Sequence, residues 1–348
     1  PDVSISTGLG GWINKRGVFS PEVEEVFAIE DAGPLKWEPS PKGQHIELGI
    51  SEMNLFLLLG QLGLGAELHG HQLLPVGTVY DPFVCRGLDA LIYSVYSGAR
   101  FVFAGTPSGV SLSREGGAHQ SSITASIGME LPGLTMWEPC FALETEWVML
   151  HGLRDIVLPD GEAHYLRLST TPVAQDAFGA LLERSDRAAL RDDVLAGGYR
   201  LAEAEVGELG SRVVIAACGA MIPQALAARE LLAAEDIGAS IINVTSPDRL
   251  FRALRTRTNT LRSGRLSDPS ILERLVRPEE HGVPLVTVHD AAPHALSFLG
   301  AAFRAPLIPL GVDRFGQCGS QPEVYEWLDL SAEAIAEAAI AGLWRPGA

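Results

Sequence analysis

The chain has 348 residues, a formal net charge of −17 and 47% hydrophobic residues. That length argues for two domains, because single cores stop growing near roughly 250–300 residues. With 26 Lys+Arg against 43 Asp+Glu and no basic cluster interleaved with aromatics, nucleic acid is excluded as a partner. No apolar run approaches the roughly 20 residues of a membrane span, and no secretory signal is visible. Cys85, Cys140, Cys218 and Cys318 are widely spaced without a CxxC pair. They read as small buried thiols in a reducing, cytoplasmic setting, not as a disulfide scaffold or zinc site. Pro1 stands where a Met would begin a chain, which reads as a processed protein or a piece of a longer one.

In chain order, residues 1–12 read as a strand ending in a glycine-rich loop, and 16–41 as a surface excursion. His45 to Met53 (HIELGISEM) has an extended, period-2 start and leads through Glu52 into an apolar helix over Asn54–Leu64. A strand over Leu73–Val79 follows, then a helix over Asp81–Tyr96 with Pro82 in its first turn. The strand Phe101–Gly105 opens into a polar stretch, Thr106 to Gln120. Strand, helix and strand are expected at Thr135–Met136, Phe141–Leu153 and His164–Leu168. Residues 174–198, rich in charges and small side chains, read as a linker. A second alternation runs through Val213–Ala217, Met221–Ala234, Ala239–Val244, Asp248–Arg255, Pro284–Val288, Ala305–Leu310 and a helix over Glu323–Leu343. The fold class is therefore α/β, with two parallel-sheet, three-layer domains over 1–185 and 186–348, the second smaller.

No GxGxxG, GxxxxGK[ST] or GxSxG motif is present. His69 and His71 flank Gly70 without a carboxylate or thiol at ligand spacing, so a solvated loop is the simpler reading and no metal site is assigned. Glu52 sits where a loop meets a buried helix, a place where a carboxylate needs a partner or a use. A helix-start role, with Ser51 as cap, explains its position equally well. Tyr80 and Phe83 are one helical turn apart, which core packing also explains. In Glu115 to Gln120 (EGGAHQ) two glycines let His119 project from a loop, suited to proton transfer near neutral pH or to a plain satisfied histidine.

Taken together and in order, these segments resemble a family. QHIELGISEMN, LLPVGTVYDPF, GTPSGVSL and EGGAHQ resemble the pyrimidine-binding domain of thiamine-diphosphate enzymes, above all the homodimeric pyruvate dehydrogenase E1 component. VTSPDRL and GVDRFGQCGSQPEVYEWLDLS resemble the C-terminal domain which that family shares with transketolases. The resemblance implies that Glu52 hydrogen-bonds N1′ of the cofactor's aminopyrimidine and promotes proton removal from thiazolium C2. It implies that Phe83 stacks on the pyrimidine, with Tyr80 beside it, and that His119 faces the reacting carbonyl. Glu115 and Gln120 become loop contacts, and Arg167 a group able to meet an anionic substrate.

The family holds diphosphate and Mg²⁺ through a GDG motif followed by Asn, and neither is found here. The resemblance thus implies thiamine diphosphate shared with an α-like partner that carries the diphosphate domain and Mg²⁺, in a heterotetramer, or else the C-terminal part of a longer chain. It further implies self-association through both domains and an acyl acceptor such as a lipoyl-bearing acyltransferase. The reaction expected is decarboxylation of a 2-oxo acid, pyruvate foremost. The strand YLRLSTTP lacks the Pro–x–Asp–Gly segment that in transketolases accompanies a sugar-phosphate Arg. Ketol transfer between sugars, biosynthetic acyl transfer and a non-catalytic paralogue are the alternatives.

Overall fold

A computed structural model describes residues 3, 7–21, 39–205, 210–264 and 270–344. Its first half builds a parallel sheet of four strands: β1 (Val76–Val79), β2 (Val102–Gly105), β3 (Leu134–Trp137) and β4 (Ala163–Arg167), in the order β1-β2-β4-β3. Every residue of β3 and β4 is buried. Helices cover both faces of such a sheet, so its strands carry continuous apolar runs without alternation. Helix α1 (Glu52–Gly63) buries Leu55, Phe56 and Leu59, and Phe56 meets Phe103 of β2 edge to face at 5.1 Å. Helix α2 (Leu88–Tyr96) packs alongside α1, and α3 (Ala142–Asp155) buries Trp147 and Val148.

Two further helices, α4 (Asp176–Arg184) and α5 (Arg187–Ala196), occupy the segment expected to be a linker. They bury Phe178, Leu181, Leu190 and Val194 at i,i+3 and i,i+4 spacings. Phe178 stacks on Phe141 at 5.1 Å, and Asp186 caps α5 by accepting from the Ala188 N–H. Charged outer faces hide this amphipathic pattern when only strands are sought.

The second sheet has five strands: β5 (Gly198–Ala202), β6 (Arg212–Cys218), β7 (Gly238–Val244), β8 (Leu285–Val288) and β9 (Leu307–Leu310). Their order is β9-β8-β6-β7-β5, parallel throughout except for β5, which runs antiparallel to β7 at the edge. Helices α6 (Ile222–Ala234), α7 (Pro247–Arg262), α8 (Gln321–Trp327) and α9 (Ala332–Leu343) belong to this domain, with two short helices at Ile271–Leu275 and Leu299–Phe303. One apolar cluster joins Trp137, Phe141 and Leu166 of the first half to Val213, Ile215 and Val286 of the second, so the two sheets share a core.

Several expectations are corrected. Asp81–Gly87 is a 3₁₀ segment, and the α-helix begins only at Leu88. His45 forms one isolated bridge to Val18, and residues 46–49 belong to no strand. The single C-terminal helix is two, parted near Asp329 at φ 57°. Residues 10–16 form a short helix where a loop was expected, while most of the strand expected early in residues 1–12 and much of the excursion over 16–41 lie outside the described residues. Cys85 and Cys318 are exposed and Cys140 is half-buried, so only Cys218 of the four thiols is fully buried.

The two halves also meet at a buried acid. Glu144 of α3 accepts from the backbone N–H groups of Cys140 and Phe141, from Tyr199 at 2.6 Å and from Asn243 at 2.8 Å. Burial outweighs these bonds and pushes its carboxyl from 4.5 to about 7. Between those values the folded state keeps a proton that the unfolded chain releases, so stability falls as pH rises across that window. Glu144→Gln should flatten this dependence. The denaturation midpoints of the native chain and the variant, compared at about pH 5 and about pH 8, should diverge by the equivalent of up to about 3 kcal/mol.

Candidate functional site

Glu52 is the first residue of α1 and only 5% exposed. Ser51 makes no side-chain cap bond, so capping does not account for the segment. The helix start sits close against the 3₁₀ segment because position 87 is glycine: a Cβ there would overlap the Phe56 ring and lie 2.7 Å from the Glu52 carbonyl oxygen. Among the described residues the one ion-pair partner of the Glu52 carboxylate is Arg86, at 3.9 Å. The Arg86 guanidinium lies 4.0 Å over the Phe83 ring, so a single cation touches both residues.

Three rings converge beside them. Tyr80 and Phe83 stand 5.7 Å apart, and each is 5.6 Å from the His119 imidazole, which meets both at a steep angle. Tyr80 donates a hydrogen bond of 2.8 Å to Glu115 Oε2. The loop expected to carry Glu115 and His119 is thereby fastened to the segment carrying Tyr80 and Phe83. Nδ1 of His119 is buried and has no hydrogen-bond partner among the described residues. Gln120 donates to the carbonyl oxygens of Ser113 at 3.4 Å and Gln317 at 3.0 Å.

Arg167, at the end of β4, is placed differently. Its side chain is enclosed, with Nε 3.3 Å from Asp81 Oδ2 and Nη1 2.9 Å from Glu138 Oε2. Nη2 donates to the carbonyl oxygens of Ser121 at 3.1 Å and Asp290 at 2.7 Å. Asp81 also accepts from the hydroxyls of Tyr165, Ser121 and Thr124. Glu138 pairs with His289 Nε2 at 2.7 Å. Burial would raise the Glu138 carboxyl, but His289 and Arg167 outweigh it and hold it at about 2. The expectation that Arg167 meets an anionic substrate thus finds a buried guanidinium each of whose nitrogens already faces a protein oxygen. The sequence marks Asp81 only as a helix start, shows Asp290 merely as following a strand, and does not single out Arg86 or Glu138. Nothing in their spacing sets them apart, because partners in this network lie up to 180 positions away.

Residues 12–158 match the family model for the transketolase pyrimidine binding domain, and residues 197–331 that for the transketolase-like C-terminal domain. The chain belongs to the thiamine-diphosphate-dependent, transketolase-like superfamily. Within it, the pyruvate dehydrogenase E1 component of Mycolicibacterium smegmatis is 26% identical over the whole of this chain, which spans 37% of that protein's length. The 6-deoxy-6-sulfo-D-fructose transketolase subunit of a Clostridium species is 27% identical over 85% of this chain and 80% of its own. Among solved structures, transketolase from Leishmania mexicana superposes with a TM-score of 0.66 at 18% identity, covering 87% of this chain and 38% of that one. A split-gene transketolase, described as an inactive β4 tetramer, gives 0.58 at 19%, covering 97% and 95%.

The superfamily's cofactor can be tested against the residues present. A buried carboxylate with one distant ion pair, an aromatic platform and an unspent imidazole nitrogen are the donor set an aminopyrimidine and a reacting carbonyl require, and they fit. Among the described residues no group of three or more His, Cys, Asp or Glu is placed to hold a metal ion, and no helix is long and apolar enough to cross a membrane.

Breaking the Arg167 network should cost far more than a surface ion pair. Arg167→Leu leaves the Asp81 and Glu138 carboxylates buried without their cation, and about 3–5 kcal/mol of stability should be lost. Denaturant titration of the full chain measures this. A change below about 1 kcal/mol, the range of exposed pairs, would refute the assigned role.

Proposed function

We propose that this chain is the β-like half of a thiamine-diphosphate-dependent enzyme that decarboxylates a 2-oxo acid, pyruvate foremost, and passes the acyl unit to an acceptor. Bound thiamine diphosphate would supply the carbanion-like centre that attacks the substrate carbonyl. Glu52 would donate or share a proton at the pyrimidine ring nitrogen N1′, from a position where burial concentrates its effect on the ring. Phe83 would carry the flat face of that ring. His119, edge-on to Phe83 and Tyr80, would hold or deliver a proton at the substrate oxygen. Glu115 and Tyr80 keep the His119 loop against the platform.

The observation that carries the choice of substrate is the enclosure of Arg167. A guanidinium spent on Asp81, Glu138 and two carbonyl oxygens has no fork left for a sugar phosphate. That favours a small 2-oxo acid over a phosphorylated ketose. Ketol transfer is the second reading, favoured by the match to a transketolase subunit from Clostridium over most of both chains.

Diphosphate and Mg²⁺ would be held by an α-like partner carrying the GDG motif. Apolar side chains on the outer faces of α1 and α2 support an assembled state: Leu57 is 53% exposed, Tyr93 64% and Tyr96 84%. We place the assembly, a heterotetramer, in the cytoplasm, with a lipoyl-bearing acyltransferase as one candidate acceptor. Biosynthetic acyl transfer uses the same half-site with another acceptor, whereas a non-catalytic paralogue would have no use for the Glu52, Phe83 and His119 grouping.

The complex purified from its native source should release CO₂ from carboxyl-labelled pyruvate and show no ketol transfer from xylulose 5-phosphate to ribose 5-phosphate. The reverse pattern would replace this reading with the second one. His119→Ala in that complex should lower kcat by about 10²–10⁴-fold and leave thiamine-diphosphate affinity within about threefold.

A further inference from the structure

The loop over residues 106–122 bears Glu115 and His119, yet much of what fixes it belongs to the other domain. Near its start, the Val110 N–H donates to Asp290 Oδ1 at 2.7 Å. At its end, the Ala292 N–H donates to the Ser122 carbonyl oxygen at 3.0 Å. Between these anchors lies a closer tie. Gln120, the neighbour of His119, reaches over the 3₁₀ turn Gly117–His119 and donates to the Gln317 carbonyl oxygen at 3.0 Å. The same amide nitrogen is 3.4 Å from the Ser113 carbonyl oxygen, so one side chain staples both limbs of the loop to the 316–318 segment.

The two segments pack closely at three glycines. A Cβ at Gly117 would lie 2.5 Å from the Gly316 carbonyl oxygen, and one at Gly116 would lie 2.5 Å from Cys318 Sγ. A Cβ at Gly316 would overlap the Gln120 side-chain oxygen. Gly117 thus meets backbone, whereas Gly116 and Gly316 leave room for the Cys318 and Gln120 side chains.

We propose that the C-terminal domain sets the position of His119 through this contact, and that Gln120 and Gly316 are positioning residues for proton handling at His119. The inference rests on the role given to His119 above. The turn Gly117–His119 contains no fully buried residue, and a short segment without its own core opens locally unless its neighbours hold it. An imidazole displaced by such opening would lose its alignment with the reacting oxygen while the Phe83 platform and Glu52 stayed in place.

Two variants of the full chain test this, Gln120→Ala, which removes the tie without adding bulk, and Gly316→Val, which takes the space the Gln120 side chain fills. Hydrogen–deuterium exchange should be about tenfold faster across residues 113–122 in Gln120→Ala, with β6 and β7 unchanged. In the assembled complex the same variant should lower kcat by about tenfold or more and leave KM for pyruvate and thiamine-diphosphate affinity within about twofold. Gly316→Val should show the same pattern more strongly. Unchanged exchange over 113–122 in Gln120→Ala would overturn the proposal, as would faster exchange with unchanged kcat. His119→Ala separates the two claims: if it leaves turnover intact, the role of His119 itself fails. If it abolishes turnover while Gln120→Ala does not lower it, only the positioning inference fails.

Discussion

One guanidinium holds the two halves of this chain in register. Arg167 ends the central strand β4, and from there it binds the Asp81 and Glu138 carboxylates and the backbone of Ser121 and Asp290. A charge enclosed in this way is costly unless its donors are met, and here each of the three guanidinium nitrogens has an oxygen partner. The consequence is geometric. Asp81 follows Tyr80 and lies two residues before Phe83, Ser121 follows Gln120, and Asp290 comes from the other domain. The aromatic platform, the His119 loop and the C-terminal domain are therefore tied to a single point. Glu138 extends the tie to His289, so acids and bases of both halves form one buried chain of contacts.

The parallel sheets and their helices were legible because buried strands carry uninterrupted apolar runs, and most strand limits differ by only a few residues. The candidate set Glu52, Tyr80, Phe83, Glu115 and His119 came from segment resemblance more than from any property of the single residues. The structure brings Tyr80, Phe83 and His119 into mutual contact and places Glu52 beside Phe83 through Arg86. What could not be read is long-range pairing. A strand-end Arg followed by Ser and Thr looks like an anion site, and only tertiary structure shows the protein oxygens already around it. The helices α4 and α5 escaped because their polar faces dominate the composition. The edge strand β5, five residues with glycine first, carries too little pattern to stand out.

An unpaired polar atom lies at the candidate site. Most buried polar atoms of the described residues are satisfied, and His119 Nδ1 is among the few that are not. An orphan imidazole nitrogen beside the Tyr80 and Phe83 rings is a group with capacity to spare for a ligand. Arg86 has a different character. It is more than half exposed and lies across both Phe83 and Glu52. The side proposed to face the pyrimidine is built on a helix start and a 3₁₀ segment that are locked into the core by Phe56 and Gly87.

The role that most needs a direct test is the action of Glu52 on the aminopyrimidine of thiamine diphosphate. The measurement is the rate of hydrogen–deuterium exchange at C2 of the bound cofactor, by rapid quench and NMR, in the native complex and in one carrying Glu52→Gln. With Glu52 in this role, the variant should still bind cofactor but exchange C2–H slower by about 10²-fold or more. An unchanged exchange rate with cofactor bound would contradict it.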